Sequence, residues 1–227
     1  MAVTQTEIDT LVEYCNVHLG DPQLWTTPEG YPKSLALCII DAIYSTGSHY
    51  TSVINVIQKY KTVHGTQDGA RALSSSIAHA GGTREWATTV VGNLKPAHTR
   101  LGAPLKADII QQAAQLITSL DIDTVDDLVA RVADKPLDNP VHAGWKRLPS
   151  QSSGITYNYL LILAGLPSVK PDRMVLRFLA AALGDTVELS SQKAVELITE
   201  TADHLNISPR SLDHIAWRAA SGRELTD

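Results

Sequence analysis

The sequence predicts an all-α protein of about ten helices, and three observations carry that expectation. Apolar residues recur at three- and four-residue steps along most of the chain, no stretch alternates apolar and polar residues as a half-buried strand does, and nothing repeats at a fixed period. With 227 residues, 44% of them hydrophobic, the chain is long enough for one sizeable core or two small lobes.

The elements follow in order. Ile8, Leu11, Val12, Cys15 and Leu19 share one helical face, and Gly20 ends that helix. The stretch SLALCIIDAIYS is apolar almost all round and predicts a buried helix, and Val53, Val56, Ile57 and Tyr60 mark the next. Helical spacing continues in DGARALSSSIAHA, REWATTVVGNL, KADIIQQAAQLITSL, TVDDLVARVA, ITYNYLLILAG, DRMVLRFLAAALG, SQKAVELITETADHL and SPRSLDHIAWRAAS. Gly81-Gly82, Gly165 and Gly184 read as stops. Thr83, Thr124, Asp172, Ser190 and Ser208 read as caps, with Pro209 at a first helical position. Residues 21–32 and 93–105, rich in Pro and Gly, read as loops.

Composition narrows the function classes. Two cysteines, Cys15 and Cys38, are too few for a disulfide framework or a four-cysteine metal site, and the expectation is reduced thiols in a cytoplasmic protein. No apolar run reaches the roughly 20 residues that span a bilayer, and MAVTQTEIDT lacks the pattern of a signal peptide, so no membrane partner is expected. A net charge of −5 excludes coating nucleic acid by bulk charge and confines any DNA contact to a local patch. His142, His204 and His214 have no metal-ligand spacing with nearby carboxylates or thiols, so neither a metal nor another cofactor is expected.

The densest signal runs from Trp145 to Arg177. A helix ends near Leu148-Pro149, the small polar turn SQSSG follows, a second helix starts near Ile155, and a short loop leads through Gly165-Leu166-Pro167 to Asp172. A tight turn between two helices leaves the N–H groups that open the second helix free to hold a phosphate. In this order and spacing the chain resembles the helix-hairpin-helix DNA glycosylase superfamily, the endonuclease III-like base-excision enzymes. Their Leu-Pro, hairpin, helix, Gly-x-Pro loop and Asp-x-x-Val-x-Arg pattern correspond to Leu148-Pro149, Ser150–Gly154, the helix at 155–164, Gly165–Pro167, and Asp172 with Val175 and Arg177.

The resemblance implies two lobes around a cleft, a helical lobe at about 30–135 and a second lobe, 1–29 with 136–227, that carries the hairpin and Asp172. It implies that Ser150, Gln151, Ser152, Ser153, Gly154 and Thr156 contact DNA. It further implies that Tyr44, Ser45, His49 and Tyr50 line a pocket for an extruded base, and that Asp172 is catalytic. The chain departs from the family's pattern in carrying Ser150 and Ser152 where glycines are usual, and Gly154 where lyase-competent members have a lysine. The expected function is therefore a monomeric, monofunctional DNA glycosylase acting on double-stranded DNA, with Asp172 stabilising the sugar cation and orienting water. The alternative is a non-catalytic DNA-binding or lesion-sensing protein. For the side chain that fills the gap left by the base, the loop KPAHTRLGAP offers His98, Thr99 and Arg100. Capping alone accounts for an aspartate before a helix at ~1 kcal/mol, and one carboxylate can both cap and catalyse.

Overall fold

The computed structural model describes residues 3–25, 27, 29–184 and 187–225. Thr26 and Pro28, within the loop stretch 21–32, lie outside the described residues. Among those described, the protein is all-α, with twelve α-helices, a short 3-10 helix at Pro22–Leu24 and one antiparallel bridge between Pro96 and Leu105. The helices are α1 (Gln5–His18), α2 (Leu35–Tyr44), α3 (Tyr50–His64), α4 (Ala70–His79), α5 (Thr83–Thr89), α6 (Lys106–Ser119), α7 (Val125–Val132), α8 (Pro140–Trp145), α9 (Ile155–Leu163), α10 (Arg173–Leu183), α11 (Ser191–His204) and α12 (Pro209–Ala220).

Most ends follow local chemistry. Thr124, Asp172, Ser190 and Ser208 are N-caps whose side chains accept from the first turn, and Pro209 opens α12. Thr83 is instead the first residue of α5, behind Gly82, and its hydroxyl donates to Asp108 Oδ1. The same helix stops at Thr89, short of Leu94, where a β-branched run from Thr88 to Val91 meets Gly92 at φ 61°.

The chain divides into two compact units. Residues 30–166 form one, around the fully buried α2, which packs on α6 and α9. Residues 1–29 and 167–227 form the other, whose core joins Leu11 and Cys15 of α1 to Phe178 and Leu179 of α10, Leu197 of α11, and Leu212 and Ile215 of α12. The boundary falls after residue 166, not after 135 as the sequence suggests. Val141, Trp145, Tyr157, Leu160 and Leu163 share the apolar core of α2, which draws residues 136–166 into the same unit. Cys15 and Cys38 are both buried and not joined in a disulfide, and burial pushes the Cys15 thiol up to about 12. No helix among the described residues is long and apolar enough to cross a membrane.

Candidate functional site

The turn between α8 and α9 is held from inside. Asn139 caps α8 by accepting from His142 N at 2.9 Å, and its amide donates to the Lys135 and Pro136 carbonyls at 2.8 and 2.9 Å. The Tyr157 hydroxyl donates to the same Pro136 carbonyl at 2.8 Å, which fastens α9 to the segment ahead of α8. Further along, Trp145 Nε1 donates to Thr156 Oγ1 at 2.9 Å, that hydroxyl donates to Gln151 Oε1 at 2.5 Å, and Gln151 Nε2 donates to the Pro149 carbonyl at 3.1 Å.

Gln151 and Thr156 are 3% and 5% exposed, so their side chains do not reach outward as DNA contacts. They form the buried scaffold of the turn, because each finds its partner in the other and in Trp145. Ser150, Ser152 and Ser153 are exposed, next to exposed Lys146 and Arg147. Ser150 and Gly154 both take the left-handed backbone, at φ 64° and 76°. The N–H groups of Ser152, Ser153, Thr156 and Tyr157 have no acceptor among the described residues. An unsatisfied first turn behind two left-handed residues offers donors to an anion.

The four residues expected to line a base pocket are dispersed. Tyr44 is 1% exposed and donates to the Asn93 carbonyl at 2.9 Å, so its ring is core and offers no face for stacking. This corrects the expectation, and the cause is that α2 is buried on every side. Ser45 is half-buried and donates to Asp41 Oδ1 at 2.7 Å, whereas His49 and Tyr50 face outward at the start of α3.

Beneath the turn between α2 and α3 sits a residue that sequence reasoning missed. Lys106 is 1% exposed, and its Nζ donates to the carbonyls of Ile43, Tyr44 and Thr46 at 3.0, 2.9 and 2.5 Å and to Ser48 Oγ at 3.3 Å. A buried ammonium thus closes the C-terminal end of α2. The loop 93–105 is tied to the same turn: Lys95 Nζ donates to the Gly47 carbonyl at 2.5 Å and Asn93 Nδ2 to Ser52 Oγ at 3.2 Å. The bridge at Pro96 and Leu105 pinches the loop, and Leu101 stands at its tip, 106% exposed. Its signal in the sequence was a lone leucine between Arg100 and Gly102.

Asp172 caps α10 with one oxygen: Oδ1 accepts from Met174 N at 2.8 Å and Val175 N at 3.3 Å. The other, Oδ2, lies 3.9 Å from Lys170 Nζ, and the carboxylate is half-buried. Val175 turns into the core, and Arg177 is exposed. Behind this segment Asp213 of α12 accepts from Lys170 N at 2.8 Å, and burial pushes its carboxyl up to about 8.

One other cluster has the connectivity of a nucleophile, base and carboxylate. Ser76 Oγ is 2.7 Å from His64 Nε2, and His64 Nδ1 is 3.8 Å from Asp68 Oδ2, beside a cavity of about 520 Å³. Yet Ser76 lies within α4, whose backbone N–H groups are committed to the helix, and it accepts from Trp86 Nε1 at 3.0 Å. Without donors for an oxyanion the chain is a lock between α3, α4 and α5. No group of three or more His, Cys, Asp or Glu able to hold a metal occurs among the described residues.

A family model described as a domain of unknown function, DUF8548, matches residues 9–221. No curated protein and no solved structure matches the chain.

Proposed function

The chain belongs to the DUF8548 family, and we propose that it is a monofunctional DNA glycosylase, which hydrolyses the bond between a modified or damaged base and its deoxyribose. The observation that carries this reading is the division of labour at Asp172. One carboxylate oxygen is spent on the helix cap, while the other takes no part in the cap and lies 3.9 Å from the Lys170 ammonium at a half-buried position.

In this reading the α8–α9 pair acts as a helix-hairpin-helix, and the free N–H groups at Ser152, Ser153, Thr156 and Tyr157 bind one backbone phosphate of double-stranded DNA. Lys146 and Arg147 add the local positive charge that a chain of net charge −5 otherwise lacks. The target base leaves the stack, at a cost of a few kcal/mol, and Leu101 fills the gap in place of the polar candidates His98, Thr99 and Arg100. As the glycosidic bond breaks, positive charge grows on the sugar. Asp172 stabilises that charge and orients a water, whose oxygen bonds to C1′ while the base departs with the bonding pair and takes up a proton. Gly154 stands where lyase-competent relatives carry lysine, so water rather than an amine is the nucleophile. The protein then works as a cytoplasmic monomer.

Duplexes carrying a panel of modified bases, treated with alkali after incubation, should reveal abasic sites, and Asp172→Asn should remove them. Activity that survives this substitution would refute the mechanism. The buried ring of Tyr44 favours a second reading, a lesion-binding protein without base release. Salt-sensitive duplex binding with no abasic sites on any substrate would select it.

A further inference from the structure

We propose that Asp213 is the positioning residue for Asp172, an inference that rests on the glycosylase reading. Residues 168–172 form no helix or strand, so the placement of Asp172 depends on how this segment is anchored. Val169 and Pro171 are buried, and the Asp172 N–H closes a tight turn onto the Lys170 carbonyl at 2.6 Å. Those contacts limit where the segment lies. A direct polar tie to the rest of the unit is Asp213 Oδ1, which accepts the Lys170 N–H at 2.8 Å from within α12. Because α12 packs on α10, and Asp172 begins α10, the carboxyl of Asp213 sets the segment and the helix it starts in one frame.

The chemistry of Asp213 makes this frame sensitive to pH. Its side chain is 7% exposed as a residue, and burial raises its carboxyl to about 8, with the negative charge of Asp172 adding to the rise and Lys170 opposing it. Lys170 and Asp172 are the charged groups that bear on it. At neutral pH the acid is uncharged, and the Lys170 ammonium lies 3.9 Å from Asp172 Oδ2. Above about pH 8 a second carboxylate appears, which must draw in water or draw Lys170 away. Either response displaces the segment that carries Asp172.

The test is single-turnover base release by the wild type, Asp213→Asn and Asp213→Leu from mildly acidic to alkaline pH, with duplex affinity measured alongside. Asparagine keeps an oxygen for the Lys170 N–H and cannot ionise. It should release base within about twofold of wild type at neutral pH and lose the fall in rate that the wild type shows at alkaline pH. Leucine removes the acceptor and should slow release at least ~10-fold with little change in affinity. An Asp213→Leu protein at the wild-type rate, or an Asp213→Asn protein that keeps the alkaline fall, overturns the proposal. If the leucine variant does not fold, the asparagine profile decides alone. A wild type that releases no base from any duplex removes the glycosylase reading itself, whereas an active wild type with indifferent variants removes only the role of Asp213.

Discussion

Replacing Lys106 by methionine keeps a stem of similar length in a buried channel and deletes the ammonium that closes α2. The acceptors it abandons are unequal. Thr46 is exposed and Ser48 half-buried, so water takes over there, and the Ile43 carbonyl still accepts from Thr46 N, but the Tyr44 carbonyl belongs to a residue only 1% exposed. Leaving that one buried acceptor unmade costs about 1–3 kcal/mol. The charge itself departs with the substitution, so no buried ion is orphaned, and the relief of burying an ammonium returns part of the loss. The net expectation is a destabilisation of about 2 kcal/mol, appreciable against a total of about 5–15. Urea denaturation followed by circular dichroism measures it, and hydrogen exchange should place the loss in residues 30–166. A loss below about 1 kcal/mol would refute the reasoning, since the Tyr44 carbonyl would then have been satisfied some other way.

Further outcomes follow from single residues. Ser150→Gly relieves the left-handed backbone at φ 64°, about 1–2 kcal/mol, against about 0.4–1 kcal/mol of added freedom in the unfolded chain; thermal melts should show a gain of up to ~1 kcal/mol. Asp172→Asn keeps a capping side chain and should hold stability within about 0.5 kcal/mol, whereas Asp172→Ala should lose ~1; both should abolish base release, which separates cap from chemistry. Leu101→Ala should leave stability within about 0.5 kcal/mol while slowing base release roughly 10-fold, measured under single turnover. Asp213 keeps its proton up to about pH 8 when folded and only to its ordinary value of 3.8 when unfolded. The folded chain therefore binds the extra proton between those limits. Stability falls as pH rises through that window and levels off above it, and Asp213→Asn should flatten the slope in denaturation curves taken across it.

Features encoded within one turn of chain were readable in advance. Asp172, Ser190 and Ser208 cap helices because their side chains need only the next two or three N–H groups. Long-range features were not. Tyr44 and Ser45 are neighbours in a stretch apolar on all faces, so periodicity could not say that one is core and the other reaches Asp41. Gln151 and Thr156 look like surface residues of a polar turn until Trp145 is seen to donate between them. Lys106 and Asp213 are residue types that default to the surface, and what holds them inside are main-chain groups about 60 and 43 residues away in sequence. The candidate site was legible at its cap and its turn, and hidden wherever a buried polar side chain reads a distant backbone.

The unit formed by residues 1–29 and 167–227 has a temporal side. In α1, Glu7 accepts from Lys193 at 2.6 Å, a partner 186 residues further along, and Leu11 and Cys15 are buried in a core completed by α10 to α12. A chain made from its N-terminus has residues 30–166 complete, with every contributor to their own core present, before any of those later helices exists. Until then Ile8, Leu11 and Cys15 have nothing to cover them, and α1 cannot be supported by tertiary packing. Although α1 is made before every other helix among the described residues, it is among the last to find its place.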